Sequence, residues 1–213
     1  MGATTTLAMS GPLVLAALVG IPLGVRAARR PGGRLDRALT TGSVLGVAVP
    51  EFVLGTALVL AFAVTVPVLP ATGWGEGDQA VLPVLTLAAF PAALAAQLVR
   101  AETVDALARP HVAVARSKGI SDGRGLWRHG GRLALTSVTS LSGLFLGGLL
   151  GGSVVVEVLF NYPGLGRLLP DAALRNDITL LMGGTLVLTF VAVATQVVAD
   201  IGLYFMNPRV RFG

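Results

Sequence analysis

The chain has 213 residues, 54% of them hydrophobic and only 13% charged, with a formal net charge of +5. A soluble domain carries roughly 25% charged residues, so this balance excludes a water-facing globular surface. The arginines fall in short segments between apolar runs rather than along one face, which argues against a nucleic-acid binder, and the lack of cysteine excludes disulfides and thiolate metal sites.

Taken in chain order, five apolar windows are long enough to cross a hydrocarbon core, which takes roughly 20 residues of helix. They are predicted at about Thr6 to Val25, Ser43 to Leu69, Val81 to Val99, Leu133 to Leu159, and Ile178 to Met206. The first reads as a retained span rather than a cleaved leader, since no Lys or Arg precedes Arg26. The expected fold is all-α, a polytopic helical bundle of about five spans forming one transmembrane domain over residues 1–213.

The connections differ sharply in charge. Arg26, Arg29, Arg30, Arg34 and Arg37 lie between the first two spans; Arg100, Arg109, Arg116, Lys118, Arg124, Arg128 and Arg132 lie between the third and fourth; Arg209 and Arg211 close the chain. Only Arg167 and Arg175 remain for the other side, so the positive-inside rule predicts that both basic loops and the C-terminus are cytoplasmic. The opposite loops, about Pro70 to Gln79 with Glu76, Asp78 and the interfacial Trp74, and about 160–177, are then external.

Several chemistries are excluded by the residues available. The only lysine, Lys118, is followed by Gly119 and preceded by Ser117, so the chain lacks the G-x-x-x-x-G-K-[ST] loop that cradles nucleotide phosphates, and any P-loop ATP hydrolysis would have to come from a partner. His111 and His129 are too far apart for a helical zinc motif, and neither lies in a predicted span beside a buried serine. No metal site and no catalytic residue are expected.

The segment from Ala101 to Arg132 is too polar to span. Val104, Leu107 and Ala108 make a small apolar stripe; Pro110 can open a following turn, Gly119 suits a helix end, and Ser121 can cap the next helix. Two readings stand: an amphipathic loop lying on anionic lipid, or a docking element that carries force to a cytoplasmic partner.

Ala113-Val114-Ala115-Arg116-Ser117-Lys118-Gly119-Ile120-Ser121, followed by Leu126-Trp127-Arg128-His129, resembles the cytoplasmic EAA-type loop of ABC importer permeases in the dipeptide, oligopeptide and nickel branch, where A-R-A-K-G-L-S precedes L-W-R-H. Val156-Glu157-Val158-Leu159-Phe160-Asn161-Tyr162-Pro163-Gly164-Leu165-Gly166-Arg167-Leu168-Leu169 resembles the same family's V-E-x-x-F-x-x-P-G-L-G-x-L-L signature. Ile21 to Val25, Pro50 with Phe52 and Gly55, and Asn207 to Arg211 extend the likeness along the chain.

The resemblance implies a multi-pass permease of the bacterial inner membrane that imports peptides or nickel. Its implied partners are a second permease subunit, two P-loop ATPases holding ATP and Mg, and an extracytoplasmic substrate-binding protein, with no cofactor bound by this chain. Ala113, Ala115, Arg116, Lys118, Gly119 and Ser121 would then form the helix that couples to the ATPase. Family members usually carry one more span and an outer region ahead of the matched part, so the alternative expectation is a shortened permease acting as a membrane scaffold. Thr136 stands where the family often has proline, and Glu51 where it more often has a small residue.

The remaining candidates are positional. Gly143, Gly147 and Gly151, at intervals of four, predict close helix packing, either within the bundle or against a second permease. Glu51, beside Pro50, lies about two turns into its predicted span and either snorkels, hydrogen-bonds internally or lines a path. Glu157, Pro163, Gly164 and Gly166 either line a path or are structural, a contact of Glu157 to the Pro163 loop being expected, and Asp200 near the inner end of the last span is read similarly.

Overall fold

The computed structural model describes residues 11–73, 77–108, 148–149 and 151–206, with the side chains of 199–200 and 202–206 left undescribed. Among the described residues there is no strand, and the helices are α1 (Gly11–Ala28), α2 (Arg34–Ala48), α3 (Glu51–Val59), α4 (Val81–Ala108), α5 (residues 151–159), α6 (Leu165–Leu174) and α7 (Ile178–Met206). A π-helical turn, Leu60–Thr65, continues α3, and a 3-10 turn, Gly77–Ala80, leads into α4. Three helices among the described residues are long and apolar enough to cross a membrane, and a fourth crossing is counted if α2 and α3 are taken as one broken span. The protein is an all-helical, polytopic membrane protein.

The last predicted span coincides with α7, Ile178–Met206. The second does not form one helix: Ser43 to Ala48 belong to α2, and α3 begins at Glu51. Pro50 causes the break, because its ring disfavours the helical conformation at Val49. Its own φ of −59° and ψ of 142° place it as the residue ahead of α3, where its carbonyl accepts the Val53 and Leu54 amides at 3.0 and 3.1 Å. The third span runs past Val99 as a helix of 28 residues, about 42 Å long, so its last turns stand clear of a hydrocarbon core of about 30 Å. Arg100, Glu102 and Asp105 occupy that extension. Of the fourth predicted span, 151–159 is helical, and 133–147 and 150 lie outside the described residues.

The contacts divide the chain into two compact units. One comprises Met1–Leu13, Val49–Ala89 and Gly143–Gly213. Its core gathers Leu82, Leu87, Leu149, Val156, Phe160 and Tyr162. Gly55 on α3 allows a close approach here, since a Cβ at that position would sit 2.5 Å from Leu159 Cδ2 and 3.2 Å from Thr86 Cγ2.

The other unit comprises Val14–Ala48 and Phe90–Ser142. There α1 and α4 meet nearly backbone to backbone: a Cβ on Gly20 would lie 2.8 Å from the Ala92 carbonyl oxygen, and one on Gly24 would lie 2.6 Å from that of Ala96. Gly20 and Gly24 are one turn apart on α1, the small-residue spacing that lets membrane helices approach closely. The buried stripe on this part of α4 is accordingly small, with Ala95, Ala96, Val99, Thr103 and Ala106. The sequence stripe is not this packed face: Val104 and Leu107 are only partly covered, and Ala108 is exposed.

Candidate functional site

Glu157 organises the end of the first unit where α5 passes into α6. Helix α5 stops at Asn161, whose φ of +56° is a left-handed conformation that asparagine adopts more readily than most residues. The stop is closed by the Tyr162 amide donating to the Glu157 carbonyl at 2.8 Å and the Asn161 amide donating to the Val158 carbonyl at 3.3 Å. The chain then turns through the exposed Pro163 and enters α6 at Gly164, which has no side chain to cap the new helix.

The buried Glu157 carboxylate supplies that cap from the preceding helix: Oε2 accepts the Gly166 amide at 2.7 Å and the Arg167 amide at 3.3 Å. Two otherwise orphaned helix N-terminal donors are thereby satisfied, and the negative charge lies at the positive end of the α6 dipole. The glycines make room for it. A Cβ on Gly164 would collide with the carboxylate, and one on Gly166 would lie 2.9 Å from Oε2 and 2.5 Å from Val154 Cα. Burial, and then the Glu157 charge, push the Tyr162 phenol above its ordinary pKa.

The far end of α6 is built the same way. Asn176, also at φ +56°, ends the helix, with its own amide donating to Ala173 at 3.1 Å and that of Asp177 donating to Ala172 at 3.0 Å. Asp177 Oδ1 then accepts the Leu180 amide at 2.9 Å and caps α7. Both ends of α6 are therefore tied to the neighbouring helices, α5 and α7.

Glu51 opens α3, where a carboxylate in the first turn favours the helix dipole. It is half-buried, and its carboxylate occupies the space that any side chain at Gly152 of α5 would need. Within this chain the close approach on α5 is thus made by Gly152, whereas Gly151 faces open space.

In the second unit, Asp36 and Arg100 form a two-pronged ion pair: Nε donates to Oδ1, and Nη2 donates to Oδ2 at 2.9 Å. The Gly32 amide donates to the same Oδ2 at 2.7 Å, and the φ of +76° at Gly32 is one that glycine tolerates without strain. Asp36 lies ahead of the apolar part of α2, and the Arg100 and Gly32 hydrogen bonds hold its carboxyl down at about 2. The pair ties the α1–α2 turn to the projecting end of α4.

Of the residues predicted from sequence, the structure brings Glu157, Gly164 and Gly166 together beside the turn at Pro163. It sets Glu51 against Gly152. Ala113, Ala115, Arg116, Lys118, Gly119, Ser121, Gly143 and Gly147 lie outside the described residues. Sequence reading missed the Asp36–Arg100 pair, whose members are 64 residues apart, and the Gly20/Gly24 contact, although that spacing was itself a readable signal. These polar groups fasten helix ends to one another.

Comparison with known proteins agrees with a transport role. Residues 20–212 match the family described as the binding-protein-dependent transport system inner membrane component. The chain is similar to the dipeptide transport system permease protein DppB of Lactococcus lactis, at 34% identity over 93% of this chain and 66% of that protein. It is 32% identical to the oligopeptide transport system permease protein AppB of Bacillus subtilis over 98% of this chain and 69% of the relative. The glutathione transport system permease protein GsiC of Escherichia coli is 36% identical over 94% of this chain and 65% of its own length. The chain thus spans about two thirds of the length of the curated relatives it matches. On these grounds it belongs to the family of binding-protein-dependent transport system inner membrane components.

Proposed function

We propose that this chain forms part of the translocation path of an ATP-driven importer of short peptides. The family match over residues 20–212 carries this reading. The names of the three relatives, for dipeptide, oligopeptide and glutathione transport, favour peptide over nickel as cargo. The chain works beside a second permease subunit, receives substrate from an extracytoplasmic binding protein, and leaves ATP and Mg to two separate P-loop ATPases. The basic loops and the C-terminus face the ATPases in the cytoplasm.

Coupling is assigned to Ala113, Ala115, Arg116, Lys118, Gly119 and Ser121. ATP-driven closure of the ATPases moves this docked segment, and the transmembrane helices switch the path from outside to inside by alternating access. Glu157 and the Pro163–Gly166 turn hold the outer end of the path in shape, and no residue of this chain performs covalent chemistry.

The test is capture of the ATPases by this chain in detergent, comparing wild type with Gly119→Val. The reading predicts capture by wild type and its loss in the variant, with the variant still inserted and folded. Capture that is indifferent to Gly119→Val would move the docking surface elsewhere, and no capture by folded wild type would remove the ATPase from the account.

A further inference from the structure

Two cavities of the second unit meet at the α1–α2 turn. One, of about 300 Å³, is lined by Arg26, Arg29, Arg30 and Arg34 together with Gly33 and Leu35. The other, a groove of about 360 Å³, runs between α1, α2 and α4 past Val19, Leu23, Leu35, Leu39, Gly42 and Ala93. Leu35 borders both, so the basic pocket and the apolar groove lie side by side.

All four arginines are exposed. Among the described residues none of them is paired with a carboxylate, and the neighbouring Asp36 is already taken by Arg100. The basic pocket also sits where the apolar part of α1 ends, at Val25–Arg26, which is the depth of lipid headgroups in a membrane.

We propose that this composite cavity binds one anionic phospholipid, its phosphate among the four guanidiniums and one acyl chain along the groove. A basic pocket beside membrane helices recognises an anionic headgroup, and the apolar channel adds a term that a free anion cannot use. A second copy of this chain is a poorer occupant. With a net charge of +5, and with the same four arginines at the mouth of the groove, it would bring like charges together.

The test is native mass spectrometry of the full chain purified in detergent, offered phosphatidylglycerol and phosphatidylcholine with identical acyl chains. The expected result is retention of one phosphatidylglycerol with a preference of about tenfold over phosphatidylcholine. Arg29→Gln/Arg30→Gln should abolish that preference. Gly42→Leu should reduce retention of both lipids, because a Cβ at Gly42 meets nothing within 4 Å and the longer side chain fills the groove.

A thermal melt of each variant without added lipid confirms that the fold is kept. Equal retention of the two lipids would overturn the proposal, and so would a preference untouched by the arginine substitutions. Displacement of the lipid by inorganic phosphate as readily as by phosphatidylglycerol would reduce the site to an anion pocket. Disulfide linkage of two copies through Leu39→Cys, with no lipid retained, would give the groove to a second copy.

Discussion

Replacing Asp36 with alanine leaves the Arg100 guanidinium and the Gly32 amide without their acceptor, and is expected to cost about 1–3 kcal/mol in a detergent unfolding assay. The pH dependence has a defined sign. The folded-state pKa of Asp36 is lowered from an ordinary 3.8 to about 2, so its contribution is fully present above pH 4 and is lost as pH falls through 2. The difference in stability between wild type and Asp36→Asn should therefore be constant from pH 5 to 8 and shrink only in strong acid. At Glu157 the informative comparison is between alanine and glutamine. Alanine orphans the Gly166 and Arg167 amides and should cost about 2 kcal/mol, whereas glutamine keeps one acceptor oxygen and should recover most of that loss. Recovery of both stability and transport by glutamine marks a cap; recovery of stability with transport still lost marks a charge needed along the path.

Among the helices, the α1–α4 contact is set by how closely two backbones approach. Gly24→Leu would push a side chain against the Ala96 carbonyl and Val99, and thermal melting is expected to show a loss of more than about 3 kcal/mol, against little change for Gly42→Ala, where nothing lies nearby. This contact also explains what the sequence concealed. Hydropathy located the centres of the described spans, because apolar length is what a bilayer selects, and it placed α7 to the residue. It could not see that α4 continues as a helix past Arg100, because the helix leaves the apolar layer before it ends. The search for an apolar stripe favoured large residues, Val104 and Leu107, while the packed face used small ones. The break at Pro50 was legible from the proline, yet the apolar residues on either side of it made one window of two helices.

For the whole molecule, the sequence displayed its family through two motifs, and only one of them falls on described residues. The motif around Glu157 becomes a set of contacts with a physical reason for each glycine, which the pattern alone could not supply. The Asp36–Arg100 pair had no such pattern, since its residues are ordinary in type and distant in sequence. The proposed role of this chain is to help form a peptide path driven by ATPases docked on its basic loop. It is tested most directly by ATP-dependent uptake of a labelled dipeptide into proteoliposomes holding this chain, its partner permease and the ATPases, with the binding protein outside. Uptake is expected to need ATP and every component, and to fall at least tenfold with Gly119→Val while the assembled proteins remain in the membrane. Equal uptake without this chain, or full uptake with the variant, would contradict it.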